Sequence, residues 1–281
     1  MSVGPRARKR FGQHFLESAW VTKLLAIIDP RPDDTFLEIG PGRGAITRPL
    51  CEAAGRVVAV EIDRDLASRL QATAPSNLTI VQGDFLDATA DDLRLAGGVP
   101  VRVAGNLPYN VAAPMLLKLV DWYGAGVGLS DATLMLQREV ADRLIARPGT
   151  GEYGVLTVMV RQWADAARVL TLPQGAFRPP PKVQSAVVQL RFRPPAARPR
   201  DDAVFAAVVQ AIFTRRRKML ANALLAYGEP GRARRSAWAA EVLQRADLDG
   251  RRRPETLDIR ALVRLADAVA MLPDGGSAVL P

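Results

Sequence analysis

The stretch that decides the fold is Thr35-Phe36-Leu37-Glu38-Ile39-Gly40-Pro41-Gly42-Arg43-Gly44. An apolar run of strand length closes on three glycines spaced two apart, and a helical period begins near Ile46. Glycines let the main chain come close to a ligand where any side chain would collide. Working outward, further short apolar runs lie at 57–62, 78–82, 101–104, 133–137, 167–172 and 186–192. Helical periods at 46–54, 65–73, 112–120, 139–146 and 155–164 fall between them. This alternation predicts an α/β fold with a mostly parallel sheet covered on both faces. Only a short proline-containing link, 173–182, joins the last two strands, so these are expected to pair antiparallel.

Residues 193–200 (RPPAARPR) are rich in Pro and Arg and poor in apolar side chains. Beyond them the chain shows helical periods only, at 203–214, 218–227, 236–246 and 258–272. The expected organisation is a domain over 1–195 followed by a small helical domain over 196–281.

The glycine spacing is G-x-G-x-G, which differs from the G-x-G-x-x-G of nicotinamide and flavin sites. With Glu38 two residues ahead, E-x-G-x-G-x-G resembles the S-adenosylmethionine (SAM) loop of Rossmann-like methyltransferases. Seven strands with a terminal antiparallel pair is the usual build of such a sheet. The second strand ends in Glu61, where an acid can accept both hydroxyls of a nucleoside ribose. The third ends in Gly83-Asp84-Phe85, with Asp84 placed to accept from an adenine amino group. Any one of these acids also reads as a solvated carboxylate at a strand end. Three at successive strand ends read as a cofactor site.

The fourth strand delivers Asn106-Leu107-Pro108-Tyr109 at its carboxyl end, where ligand chemistry sits in an open α/β sheet. A strand-to-helix turn would account for Asn106 and Pro108 alone. It leaves Tyr109 unexplained. An adenine amine is a poor nucleophile because its lone pair is delocalised into the ring. Hydrogen bonds accepted by the Asn106 side-chain oxygen and by a backbone carbonyl at Leu107 or Pro108 favour the pyramidal nitrogen. Tyr109 offers a ring on which an extruded base can stack, worth ~1–3 kcal/mol. Pro108 restrains the turn, and positioning is most of the catalysis.

Composition narrows the field further. Hydrophobic residues make up 48% and charged residues 24%, the balance of an ordinary folded protein. Cys51 is the only cysteine and His14 the only histidine, which excludes internal disulfides, cysteine-ligated zinc and multi-histidine metal sites. Attack at cytosine C5 needs a cysteine nucleophile, and Cys51 lies in the helix after the glycine loop, where it reads as packing. No apolar run reaches the ~20 residues of a membrane span, and the N-terminus lacks a signal-peptide core. A cytosolic protein is expected. The nine excess cations are concentrated in 1–23 and 198–281, with a neutral body between. That distribution suggests surfaces that grip a polyanion at both ends of the chain. An arginine-rich background composition would also raise the charge, since 33 of the 38 cations are Arg.

Two further stretches specify the resemblance. Phe11-Gly-Gln-His-Phe-Leu16 is similar to F-G-Q-N-F-L, and Phe177-Arg-Pro-Pro-Pro-Lys182-Val-Gln-Ser185 is similar to F-x-P-x-P-K-V-x-S. With the SAM loop and Asn106–Tyr109, these make the chain resemble the ribosomal RNA adenine dimethyltransferase family of KsgA type over nearly its whole length. The resemblance implies two successive methylations of each of two adjacent adenosines in the 3′-terminal hairpin loop of small-subunit (16S) rRNA. It implies cofactor contacts at His14, Leu16, Gly40, Gly42, Glu61, Asp84 and Asn106. Phe177 would cover the second face of a flipped adenine, opposite Tyr109. His14 stands where Asn is common in the family, and a titratable group there would make cofactor binding sensitive to pH near neutrality. RNA phosphates are expected at Arg8, Lys9, Arg10, Lys182, Arg215, Arg216, Arg217 and Lys218, the last four starting a helix.

Two other readings compete. Large-subunit (23S) rRNA adenine methyltransferases of the macrolide-resistance kind share the chemistry but lack the P-x-P-K-V-x-S pattern. An assembly factor with dispensable catalysis would need no intact Glu61, Asp84, Asn106 and Tyr109. A monomer is expected, since a base-methylating cleft beside a large RNA needs no symmetric partner.

Overall fold

The computed structural model describes residues 14–95, 99–227 and 232–272, with the backbone only at 232–235. In chain order the first elements are β1 (Phe15–Leu16), α1 (Ser18–Ile28), β2 (Thr35–Ile39), α2 (Thr47–Ala53), β3 (Arg56–Glu61), α3 (Arg64–Gln71) and β4 (Leu78–Gln82). They continue as β5 (Val101–Asn106), α4 (Ala112–Gly124), β6 (Leu129–Gln137), α5 (Arg138–Ile145) and α6 (Val155–Trp163). Next come β7 (Ala164–Leu172), β8 (Phe177–Arg178) and β9 (Ser185–Phe192). The remainder is helical: α7 (Asp202–Phe213), α8 (Leu220–Leu224), α9 (Arg232–Arg245) and α10 (Ile259–Ala270).

Two compact units emerge. The first holds the described residues up to Asp142 together with Trp163–Arg193. Its seven-stranded sheet has the order β4-β3-β2-β5-β6-β9-β7. Pairing is parallel from β4 through β6, and β9 lies antiparallel between β6 and β7. The last two strands of the sheet, β7 and β9, pair antiparallel as expected, and β9 also lies antiparallel to β6. Every residue of β2 is buried, Glu38 included, which is why its apolar residues show no alternation. Strand β4, at the edge, is only partly covered.

The second unit takes Arg143–Gln162 and the chain from Pro194 onward. Residues 143–162 carry helical periods next to the sheet strands, and the sequence reading assigns them to the first domain. In the structure Ala146, Tyr153 and Val158 pack with Phe205, Val209 and Leu262 instead. The Tyr153 hydroxyl also donates to the Leu257 carbonyl at 2.9 Å. Helix α7 opens on Asp201, whose side chain accepts from the Ala203 and Val204 N–H groups, and α10 opens likewise on Asp258. Among the described residues this unit contains no strand, and no described helix is long and apolar enough to cross a membrane.

Candidate active site

The glycine loop lies between β2 and α2 at the carboxyl ends of the central strands. Gly40, Gly42 and Gly44 all have positive φ (71°, 60° and 81°), a region that side-chain-bearing residues rarely adopt. A Cβ on Gly42 would sit 3.2 Å from the Phe15 ring, so the loop and β1 are close because that residue is glycine. At the end of β5 a Cβ on Gly105 would come within 2.6 Å of the Ile39 carbonyl. Packing forbids a side chain there.

Glu61 ends β3 almost fully buried. Its Oε2 accepts the Gly42 N–H at 2.9 Å and its Oε1 the Asp63 N–H at 2.8 Å. Each oxygen keeps a lone pair for a further donor. Burial raises its pKa above the ordinary carboxylate range, against the pull of those two N–H groups. Glu38 is buried too, its pKa pushed up to about 8, chiefly by loss of hydration and secondarily by nearby Glu61. Thr47 opposes the shift without reaching hydrogen-bond geometry, and Glu38 Oε2 is buried with no partner. Glu38 lines neither of the clefts beside the loop, so its orphaned oxygen is enclosed within the sheet.

Two clefts flank this loop. One, about 90 Å³, is lined by His14, Leu16, Gly40, Gly42, Arg43, Glu61, Asn106 and Tyr109 among others. The second, about 250 Å³, is lined by Gly83, Asp84, Phe85, Val111 and Met115, and shares Gly40, Ile62 and Pro108 with the first. Asp84 is turned by its own loop, with Oδ1 accepting the Leu86 N–H at 2.9 Å.

At the end of β5, the Asn106 Nδ2 donates to the His14 carbonyl at 2.7 Å, which leaves Oδ1 as the free acceptor. Leu107 is buried and its N–H donates to the Met135 carbonyl at 3.2 Å. The Pro108 carbonyl already accepts the Val111 N–H at 3.1 Å, so of the two candidate carbonyls Leu107's is the freer. Tyr109 stacks on His14, centroids 5.6 Å apart and planes at 25°, and its hydroxyl is hydrogen-bonded to Ser185. Residues far apart in sequence thus converge on one loop-lined cleft with acceptors and an aromatic face but no cysteine. Residues 4–264 match the family profile described as Ribosomal RNA adenine dimethylase.

The chain belongs to the ribosomal RNA adenine dimethylase family.

It is 42% identical over 270 residues to the Ribosomal RNA small subunit methyltransferase A of Xanthomonas oryzae pv. oryzae, covering 95% of this chain and 97% of that one. Among solved structures it resembles a dimethyladenosine transferase from Plasmodium falciparum, with TM-score 0.73, 24% identity, and 90% and 96% of the two chains covered. It also resembles the 23S rRNA methyltransferase ErmE, with TM-score 0.61, 27% identity, and 90% and 98% covered. The fold is that of a class I methyltransferase.

Not every expected site residue of this family member reaches the clefts. Phe177 is fully buried in β8, paired with Leu16 and packed among Leu24, Ile28 and Phe36. It lines neither cleft, so in this structure it does not face Tyr109 across an open gap. Lys182 is exposed, and its carbonyl accepts from Gln174 at 2.8 Å. Arg8, Lys9 and Arg10 lie outside the described residues. Arg215–Lys218 form a turn closing α7, with the Lys218 N–H donating to the Arg215 carbonyl at 2.8 Å, and the next helix starts only at Leu220. Arg215, Arg217 and Lys218 are exposed. Arg216 is half-buried, donating to the Gly151 carbonyl at 2.6 Å and lying 3.9 Å from Glu255. The same surface carries Arg252, whose carbonyl accepts the Leu220 N–H at 2.6 Å.

Arg43 and Ser185 went unassigned by sequence reasoning. Arg43 lines the first cleft with its guanidinium 4.1 Å from the Phe15 ring centroid. The position between Gly42 and Gly44 is unspecified in the G-x-G-x-G spacing and so carries no signal of its own. Ser185 is the last residue of the proline motif, and its link to Tyr109 spans 76 residues.

Proposed function

We propose that this chain transfers methyl groups from SAM to the N6 amines of two adjacent adenosines in the 3′-terminal hairpin loop of 16S rRNA. It would act as a cytosolic monomer on the small subunit or its assembly precursor. The observation that carries the reading is the Asn106–Tyr109 turn held beside the glycine loop and Glu61 in one cleft. The 42% identity to a small-subunit methyltransferase, against 27% to a 23S enzyme, favours the 16S substrate.

The chain's residues fit SAM. Glu61 would take the ribose hydroxyls on its two spare lone pairs, Asp84 the adenine amine, and the backbone at Gly40 and Gly42 the close-packed middle of the molecule. When bound, SAM supplies an electrophilic methyl group on a sulfonium. The other steps belong to the protein and to the target base. Asn106 Oδ1 and the Leu107 carbonyl accept the two N6 hydrogens, which frees the nitrogen lone pair for attack. Tyr109 stacks the base once it is extruded, at a cost lower in a loop than in a duplex. The methylated nitrogen sheds its proton to water, so no protein base is required. Arg215, Arg217, Lys218 and Lys182 would contact phosphates, giving salt-dependent affinity without sequence information.

Labelled SAM incubated with unmodified small subunits, large subunits and duplex DNA tests this, with products digested to nucleosides and identified by mass. N6,N6-dimethyladenosine from small subunits alone is expected, and Asn106→Ala should lower the rate ~10²–10³-fold. Label on large-subunit RNA would move the protein to the 23S branch. No transfer, with subunits still bound, would favour an assembly factor without catalysis.

A further inference from the structure

Tyr109 is restrained from two directions that no part of the reaction above uses. One ring face is covered by the imidazole of His14. Its hydroxyl meets that of Ser185, a fully buried residue that opens β9 and pairs with Gln137 of β6 and Leu172 of β7. The serine therefore sits on the rigid interior of the sheet, where a hydroxyl would otherwise have to find another partner. His14 is itself held. Its Nδ1 donates to the Pro179 carbonyl at 2.8 Å, and its own carbonyl takes the Asn106 amide at 2.7 Å. The two strands that flank this contact, β1 and β8, pair through Phe15 with Arg178 and Leu16 with Phe177.

We propose that His14 and Ser185 are positioning residues for methyl transfer. They brace Tyr109 by one face and by its hydroxyl, so that only the opposite face receives the target base. Phe177, buried in the core and paired with Leu16, anchors the two-stranded ribbon next to His14. The same ribbon sets Asn106, because the amide that donates to the His14 carbonyl must present its oxygen to the cleft. Stacking and acceptance of the amine are thereby set by one small assembly. Burial keeps the Tyr109 phenol protonated well beyond neutrality, so its hydroxyl remains available to Ser185 across the working range. This inference rests on the adenine-methylating reading above.

The test is a double-mutant cycle on Ser185→Ala and Tyr109→Phe, with SAM affinity, RNA KM and kcat measured for each variant on unmodified small subunits. Each single change removes the same hydroxyl contact, so each should lower kcat about 3- to 10-fold. The double variant should be no worse than either single one. SAM affinity should stay within about twofold, which also shows that the variants fold. His14→Ala should cost a similar factor through lost stacking, and His14→Phe, which keeps a ring, should recover most of it. Independent, multiplying losses in the cycle would overturn the proposal, as would equal activity of His14→Ala and wild type. If wild type itself transfers no methyl group to rRNA, the reading beneath the proposal fails. An active wild type with an additive cycle removes the brace alone.

Discussion

The two ends of the central sheet treat buried charge in opposite ways. At the amino end, Arg102, the second residue of β5, is paired on several sides. Its guanidinium contacts Asp34 at 2.7 Å, Asp131 at 3.1 Å, and the Ile28 and Asp29 carbonyls that end α1 at 2.6 and 3.1 Å. At the carboxyl end, Glu38 and Glu61 are buried more deeply: Glu61 accepts two backbone N–H groups, one Glu38 oxygen has no partner, and the two acids repel each other. Two acids raised by burial, with no cation paired to them among the described residues, cost stability. Perturbed buried acids of this kind mark candidate functional sites, and Glu61 lines the cleft of the proposed cofactor site. The amino end holds a paired network, and the carboxyl end carries the proposed cofactor site.

The largest expected effect tests the amino end. Arg102→Ala leaves two half-buried carboxylates unpaired and the last carbonyls of α1 without a donor. Breaking such a network should cost about 3 kcal/mol, read as a lower urea midpoint at unchanged m-value. SAM affinity at the far end of the sheet should change little once measured below the unfolding transition. A variant as stable as wild type would show that the paired end contributes nothing.

Glu38 gives the next effect and the opposite sign. Its folded pKa of about 8 lies above the ordinary 4.5. Between those values the folded state keeps a proton that the unfolded chain has released, so this group's contribution to stability falls as pH rises from about 4.5 to 8 and then levels off. Glu38→Gln removes that slope. Cofactor-free variant and wild type should be similar in stability at pH 5, and the variant more stable by a few kcal/mol at pH 9. Urea unfolding at the two pH values decides, and parallel pH profiles would show that Glu38 ionises normally.

This contrast was only partly legible in the sequence. Glu38, Glu61, Asp84 and Asn106 could be singled out because each lies in, ends or closely follows a short, mainly apolar strand. The sheet followed from the same runs. What escaped depends on distant pairing. Strands β1 and β8 are two residues each and exist only because Phe15 meets Arg178 across the sequence. Helix α1 starts on Glu17, which gives no side-chain cap, so no start signal announces it. Phe177 shows the limit of a motif. Its spacing marks an aromatic that matters, but whether the ring faces core or cleft is set by pairing with Leu16. Arg102 had no motif at all, since its partners lie 68 and 29 residues away.

Glu61 allows the functional end to be weakened without touching the paired one. Glu61→Gln keeps the shape but turns an N–H group toward either the Gly42 or the Asp63 N–H, so one backbone bond is lost and the charge disappears. SAM affinity by calorimetry should fall about 10- to 100-fold, the usual range for hydrogen bonds to a charged group. Unfolding stability should hold or rise, because a buried unpaired charge has gone. Affinity within twofold of wild type would remove Glu61 from the cofactor site.

The smallest effect carries the same distinction into the helical unit, where neighbouring arginines differ in their partners. Arg216 is tied to the Gly151 carbonyl and approaches Glu255, whereas Arg217 is exposed with no side-chain partner among the described residues. Arg216→Ala should therefore appear mainly as lost stability, since two carbonyls and a carboxylate lose their donor. Arg217→Ala should leave the melting temperature within about 1 °C, because an exposed unpaired side chain contributes little to folding. If Arg217 meets an RNA phosphate, its loss should lower small-subunit affinity at low salt and reduce the slope of log affinity against log salt by about one unit. A slope unchanged by Arg217→Ala but reduced by Arg216→Ala would reverse the assignment, making the tethered arginine the phosphate contact and the free one a solvated surface charge.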